Sequence, residues 1–124
     1  MASLKSISPQ FLVSDLEDSI TYYREKLGFD TNIRYEDYYA SVVRDGAEIH
    51  LKRSEQLPGE RDHRKENEHL DAYVVVEDVE TVFKEFVGLG ANIWRDLEIR
   101  PWGVQDFYVE DLDGHILCFG QLDS

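Results

Sequence analysis

The sequence of 124 residues has one cysteine, few basic side chains and no long apolar run. Cys118 cannot form an internal disulfide, which favours a reducing, cytoplasmic setting. The apolar runs are too short for a transmembrane helix or for the apolar region of a secretory signal. Lys and Arg number 13 against 26 Asp and Glu, a formal net charge of -13. Nucleic-acid binding, which needs clustered basic residues, is therefore not expected.

What the sequence does contain is enough apolar side chain to build a core. Hydrophobic residues make up 42% of the chain and aromatic residues 12%, so a disordered chain is excluded. The negative charge is uneven. Residues 68 to 124 hold 13 acidic and 3 basic side chains, whereas residues 1 to 53 hold 9 and 7. The simpler interpretation is a charged, soluble surface, and the alternative is attraction of a cationic partner.

The chain repeats itself at a nearly constant spacing, with a polar segment over residues 54–67 between the two halves. Fixed-offset similarity of this kind is typical of a duplicated module. The pairs, at offsets of 63, 62 and 68 residues, are Val13–Glu17 with Val76–Glu80, Leu27–Gly28 with Leu89–Gly90, and Asp45–Ile49 with Asp113–Leu117. We therefore expect a single domain over 1–124 with module one at 1–53, a linker at 54–67 and module two at 68–124.

Each half follows the same order of predicted elements. Ser14 and Glu17 have the spacing of a capping box, and Gly28 supplies a helix stop. The predicted segments are a strand at 5–13, a helix from residue 16 to 27 and strands at 29–36, 38–44 and 47–53; then a strand at 69–76, a helix from 79 to 87 and strands at 91–97, 103–110 and 115–121. Hydrophobic periodicity and two Asp-Gly turns carry these assignments. The fold class is α+β, two tandem βαβββ modules whose curved mixed sheets enclose a cavity.

The repeat pairs residues that could hold a metal ion. Ser8 corresponds to Asp71, and His50 corresponds to Cys118, on the first and last strands of each half. Four side chains converging from four strands would suit a divalent metal, although Ser is a poor ligand. A shift of two residues keeps strand parity, so Gln10 and His69 are alternatives to Ser8 and Asp71. The simpler interpretation is that His50 is a hydrogen-bonded pocket residue and Cys118 a small buried one.

Aromatic rings and acids lie together in two segments, 35–39 and 100–108. A planar or cationic organic ligand would find stacking faces and negative charge there. Trp102 is the strongest candidate contact, because it lies between Pro101 and Gly103 in a predicted loop, where a core role is less expected.

These motifs resemble the vicinal oxygen chelate superfamily, which comprises glyoxalase I, extradiol dioxygenases, fosfomycin-resistance enzymes and bleomycin-resistance proteins. The resemblance covers essentially the whole chain. It rests on the duplicated pattern and on Val13–Ser19, Tyr22-Tyr23, Leu27–Phe29 and Asp111–His115. The segments Pro101–Phe107 and Phe119–Gln121 are most similar to the bleomycin-resistance branch.

The resemblance implies a function. Enzymes of the superfamily hold a metal with His, Gln or Glu from the four strands, where this chain has Ser8, His50, Asp71 and Cys118. Bleomycin-binding members have no metal and sequester the cationic, planar drug in clefts of a homodimer. We therefore expect no cofactor, a homodimer and non-catalytic sequestration of a bleomycin-like cationic antibiotic; the alternative is a metal-dependent lyase, isomerase or oxygenase with an atypical ligand set. The ligand-binding residues implied are Trp102, Tyr35, Asp37, Tyr38, His50, Tyr73 and Phe107.

Overall fold

The first half of the chain forms one four-stranded mixed sheet covered by a helix. A computed structural model describes residues 2–55 and 70–122. The elements are β1 (Gln10–Val13), α1 (Leu16–Leu27), β2 (Asp30–Tyr35), β3 (Tyr39–Arg44) and β4 (Ala47–Arg53). The strand order is β1-β4-β3-β2, with β1 parallel to β4 and the other pairs antiparallel.

The second half repeats this arrangement. Its elements are β5 (Ala72–Val75), α2 (Val79–Leu89), β6 (Ile93–Ile99), β7 (Gln105–Glu110) and β8 (Ile116–Gln121). The order β5-β8-β7-β6 again joins the first and last strands in parallel. The predicted α+β fold of two βαβββ modules is confirmed. Most of the expected linker, from residue 56 onward, lies outside the described residues.

The helix ends differ in part from the prediction. The N-cap of α1 is Asp15, whose carboxylate accepts a hydrogen bond from the Asp18 amide at 2.9 Å. The capping box at Ser14 was wrong, because Ser14 lies one residue too early and its amide donates to Asp113 at 3.1 Å. Gly28 ends α1 as predicted, with a φ of 74° that favours glycine.

Strand register confirms the repeat at the level of single residues. Gln10 lies opposite His50 between β1 and β4, and Tyr73 lies opposite Cys118 between β5 and β8. The offsets of 63 and 68 residues found in the sequence relate these same two pairs. The facing positions on the first and last strands are therefore known in both modules.

The two modules share one core beneath their helices. Alternate side chains of each strand point toward α1 or α2, and they form one cluster across both sheets. Phe107 lies at its centre, stacked on Phe119 with ring centroids 5.5 Å apart and in edge contact with Phe83 and Phe86. Neither module could bury this apolar surface alone. No helix within the described ranges is long and apolar enough to cross a membrane.

Hydrogen bonds also join α1 to the turn between β7 and β8. The Tyr22 hydroxyl donates to the Glu110 carbonyl at 2.8 Å, and the Tyr23 hydroxyl donates to Asp111 Oδ2 at 2.7 Å. On the other side, Arg44 at the end of β3 forms two hydrogen bonds to Glu85 of α2, at 2.7 and 2.8 Å. Each module therefore places its β-turn against the other module's helix.

Candidate functional site

Each sheet has a face turned away from its helix, and we call these the open faces. Because side chains alternate along a strand, the residues between the core positions occupy them. In module one, the open face carries Gln10, Tyr39, Ser41, Glu48, His50 and Lys52. In module two, it carries Tyr73, Asp106, Tyr108 and Cys118.

A chain of hydrogen bonds orients His50 on the open face of module one. The Tyr39 hydroxyl accepts a hydrogen bond from Gln10 Nε2 at 3.0 Å and lies 2.8 Å from His50 Nδ1. The oxygen that accepts from Gln10 still has its proton to donate to Nδ1. His50 is therefore a hydrogen-bonded, half-buried residue whose ring is held by its neighbours.

Glu48 provides a fixed negative charge two residues from His50. Its Oε2 accepts hydrogen bonds from Ser41 Oγ at 2.7 Å and from Asn32 Nδ2 at 2.9 Å. These two hydrogen bonds hold the pKa of Glu48 below its ordinary value, because they favour the charged form. The carboxylate is accordingly ionised at neutral pH and favours cations on this face.

The open face of module two has a buried ion pair instead. Arg100 Nε donates to Asp106 Oδ1 at 2.6 Å, and both side chains are almost fully buried. The guanidinium also lies 5.4 Å from the centre of the Tyr108 ring. Because Asp106 neutralises Arg100, this ion pair adds no net charge to the face.

Cys118 lies beside this ion pair and is fully buried. Burial raises the pKa of its thiol far above the ordinary value, and the negative charge of Asp106 raises it further. Tyr73 packs over Gly120 so closely that any side chain at that position would collide with the phenol ring. The thiol is therefore protonated and enclosed, unlike that of a reactive cysteine.

The alternative metal set Ser8, His50, Asp71 and Cys118 is not brought together. Ser8 precedes β1, where Gln10 and not Ser8 lies opposite His50. Asp71 precedes β5, and its Oδ2 accepts a hydrogen bond from the Ile116 amide at 2.8 Å. A cysteine binds a metal as the thiolate, and burial together with the negative charge of Asp106 disfavours that form of Cys118 by raising its pKa. In residues 2–55 and 70–122, no three His, Cys, Asp or Glu side chains form a group that could hold a metal ion. The donor set does not fit a catalytic metal, and His69 lies outside these residues.

Four of the predicted ligand contacts are exposed aromatic rings. Trp102 is 74% exposed, and the others, in decreasing order of exposure, are Tyr35, Tyr38 and Tyr73. Trp102 lies in a tight turn in which the Arg100 amide donates to the Val104 carbonyl at 2.7 Å. Gly103 follows it with a φ of 93°. The turn therefore holds the indole in solvent on a defined backbone.

Phe107 is a correction to the predicted contacts. Its side chain points toward α2 and is 0% exposed, so it belongs to the core and reaches neither open face. The alternation of residues along β7 separates two faces of the strand, but it does not indicate which face the helix covers.

Asp37 and Tyr38 are brought together at a shallow cavity of about 570 Å³ beside the start of α1. Asp15, Glu17 and Glu36 also line it. Arg34 links Glu17 and Asp37 by ion pairs of 2.5 and 2.8 Å. Arg53 lines the cavity too, and Arg34 pairs with two of its carboxylates, so it presents the Tyr38 ring beside partly neutralised acids.

Sequence reasoning missed Tyr39, Glu48, Arg100 and Asp106. The period-two alternation of β4 places Glu48 on the same face as His50, and that signal was available. The Arg100–Asp106 pair depends on how the loop after β6 folds back, which no pattern in the sequence indicates.

Comparisons with known proteins agree with this geometry. A family model described as the Glyoxalase/Bleomycin resistance protein/Dioxygenase superfamily matches residues 6–119. No curated protein gives a significant match. Among solved structures, TioX from Micromonospora sp. ML1 has a TM-score of 0.76 at 20% identity, covering 94% of this chain and 98% of that one. A glyoxalase-related enzyme from Clostridium phytofermentans has a TM-score of 0.76 at 19% identity, covering 97% and 96%. The bleomycin-binding protein of Streptomyces verticillus, complexed with copper(II)-bleomycin, has a TM-score of 0.73 at 19% identity, covering 96% and 97%. At these identities the likeness shows the fold.

Proposed function

Because the chain belongs to the glyoxalase/bleomycin resistance protein/dioxygenase superfamily, we propose that it is a non-catalytic binding protein of the bleomycin-resistance branch. It sequesters a planar, cationic small molecule of the bleomycin-like antibiotic class and so confers resistance. The observation that carries this proposal is Trp102, a large aromatic ring left 74% exposed on a tight turn.

An exposed indole on a fixed turn suits a planar cation for two reasons. Its ring face attracts positive charge, and its large flat surface gives stacking area with only two side-chain torsions to immobilise. Gly103 and the hydrogen bond from Arg100 to Val104 already fix the backbone around it. Little entropy is lost when the ligand binds.

The charge of the protein supports a cationic ligand. Residues 68–124, which contain Trp102, hold 13 acidic and 3 basic side chains. On the open face of module one, Glu48 is ionised, whereas Asp37 beside Tyr38 is paired with Arg34 and adds little. Such a field raises the local concentration of a cation and speeds its association.

The open faces favour binding over metal-dependent catalysis. The paired register positions hold Gln10 with His50 and Tyr73 with Cys118. Gln10 and His50 are both engaged with Tyr39, and Cys118 is a buried, protonated thiol. Such a set offers a metal ion a single good ligand, His50.

We also propose that the protein works as a homodimer in which open faces of two copies form each binding cleft. Apolar side chains exposed on the strands support this, among them Ile33, Tyr35, Val75 and Ile99. Sedimentation velocity tests it directly. We expect a species of about twice 14.5 kDa, and a monomer at all concentrations would contradict the dimer.

Isothermal titration with metal-free and copper(II)-loaded bleomycin tests the binding function. Trp102→Ala should weaken binding about tenfold, the loss expected when one stacked, partly desolvated cation–π contact is removed. Leu112→Ala is the matched control, because Leu112 is also an exposed apolar residue in a turn, and binding should not change. The absence of heat at high protein concentration, or equal binding by both variants, would contradict the proposal.

Metal analysis of protein purified without chelators separates the rival function. A stoichiometric transition metal that disappears in His50→Ala would favour a metal-dependent enzyme over sequestration.

A further inference from the structure

The two modules touch at two places that the internal repeat makes equivalent. At one of these contacts the space between the modules is filled by side chains of the protein. At this first contact, between β1 and the β7–β8 turn, the rings of Phe11 and His115 stack with centroids 4.4 Å apart and planes 8° apart. The Asp113 carboxylate accepts a hydrogen bond from the Ser14 amide at 3.1 Å and one from Ser19 Oγ at 3.5 Å. A flat pair of rings and a bonded carboxylate close this side.

The second contact, between β5 and the β3–β4 turn, is open. The offsets of 63 and 68 place Val74 at the position of Phe11, Ala47 at that of His115 and Asp45 at that of Asp113. Two small aliphatic side chains thus replace the stacked rings. The described residues leave here a cleft of about 870 Å³, which we call the inter-module cleft. Its volume lies within the range of about 300–1,000 Å³ typical of small-molecule sites.

The floor of the inter-module cleft is apolar because it belongs to the helix-facing core. It is formed by Phe29, Ile49, Val74, Val82, Phe86 and Phe119. These residues lie beneath the sheets, on the side opposite the open faces that carry the proposed function. Glu48 and Tyr73 of the open faces also line the cleft, so it reaches the edge of those faces, whereas Trp102 does not line it.

Carboxylates dominate its mouth. Among the described residues, the carboxylates that line it are Asp45, Glu48, Glu77, Asp78 and Glu85, and the one basic residue is Arg44. Arg44 is bound by both oxygens of Glu85 and has a weaker electrostatic interaction with Asp45, so it forms an ion pair with one of the five carboxylates. Within the described part of the chain, Asp45 accepts no hydrogen bond, whereas its counterpart Asp113 accepts one from the Ser14 amide and one from Ser19.

We propose that the inter-module cleft binds a small arylalkylamine, a flat ring that carries a protonated aliphatic amine. The ring takes the space that Phe11 and His115 fill at the first contact, against the apolar floor. The ammonium group lies at Asp45, as the Ser14 amide lies at Asp113. The first contact thus shows which chemistry fits the second: a flat ring with a nitrogen donor directed at a carboxylate.

Three probes with a phenyl ring on a four-carbon chain test the charge preference: 4-phenylbutylamine, 4-phenylbutanol and 4-phenylbutyrate. Titrated into nitrogen-15-labelled full-length protein, the amine should shift the amide resonances of Asp45, Ala47 and Val74. It should bind at least about fivefold more tightly than the alcohol, which is what one partly exposed charge interaction provides, and the acid should bind least. Equal binding of amine and alcohol, or shifts confined to the Trp102 turn, would overturn the proposal.

Two variants test the location. Val74→Phe combined with Ala47→His rebuilds the ring pair of the first contact, so it should abolish binding of the amine and leave the fold intact. Asp45→Asn should reduce the affinity for the amine to that of the alcohol, and Asp96→Asn, an exposed carboxylate outside the cleft, should change nothing. Unchanged amine binding in Asp45→Asn would refute the site even if the double variant does not fold. Trp102→Ala should bind the amine normally, which keeps this test independent of the antibiotic-binding proposal.

Discussion

Replacing Tyr23 by Phe should measure how strongly the first contact holds the two modules together. Tyr23 on α1 is buried, and its hydroxyl donates to Asp111 Oδ2 at 2.7 Å. Asp111 is only 4% exposed, and its other oxygen accepts hydrogen bonds from the amides of Asp113 at 3.0 Å and His115 at 2.8 Å. Tyr23→Phe keeps the ring in place and removes one donor from a buried carboxylate.

The expected cost follows from the charge of the acceptor. A hydrogen bond to a charged group contributes about 1.5–3 kcal/mol to stability. A buried acceptor that loses its donor is not compensated by water. The remaining amide donors and the His115 ring nitrogen, 2.9 Å from Oδ2, limit the loss. We therefore expect the free energy of unfolding to fall by about 2 kcal/mol, a large part of the stability of a small domain.

Urea unfolding followed by tryptophan fluorescence and circular dichroism measures this change. Tyr35→Phe is the matched control, because the Tyr35 ring is 62% exposed and the same chemical change should alter stability by less than about 0.5 kcal/mol. If Tyr23→Phe also stays below that value at an unchanged m-value, the Asp111 carboxylate does not need this donor and the reasoning fails.

Three further predictions concern other parts of the molecule. A double-mutant cycle with Arg44→Met and Glu85→Gln should give a coupling free energy of about 1 kcal/mol, because the pair has two hydrogen bonds but is a third exposed. A coupling of zero would mean that this ion pair does not help to hold the modules together. The raised pKa of Cys118 should make the free energy of unfolding fall above about pH 8.5, where the thiol ionises in the unfolded chain but not in the folded one. Cys118→Ala should remove this fall. A thiol that reacts readily with dithiodipyridine in the folded protein would contradict the prediction. The association rate for bleomycin should decrease as ionic strength rises, and a rate indifferent to salt would make the acidity a mere surface property.

The fold was largely predictable because the sequence signals of each helix and turn occur in both halves of the chain. The Leu-Gly pairs ending at Gly28 and Gly90 both mark helix stops, and both glycines have the positive φ that such a stop uses. Two Asp-Gly dipeptides marked the last turn of each module. Local chemistry of this kind does not depend on distant contacts.

The site was less predictable because it depends on register and packing. The repeat paired Ser8 with Asp71 correctly by offset, but β1 begins at Gln10, so the facing position is two residues later. Strand alternation placed Phe107 on one of two faces and could not say which one α2 covers. The bond from Tyr23 to Asp111 joins residues 88 apart in sequence, and only the docking of the modules creates it.

Because the two contacts between the modules differ, they tolerate substitutions differently as the sequence diverges. Two copies of one module begin with two identical contacts. Here one of them holds stacked rings and a buried carboxylate, so most substitutions there leave a buried polar group unpaired. At the other, the corresponding positions hold the small aliphatic side chains of Val74 and Ala47 beside a partly exposed ion pair, and substitutions of these residues cost less. Substitutions can therefore change which ligand the second contact binds, while the first contact keeps the two modules together.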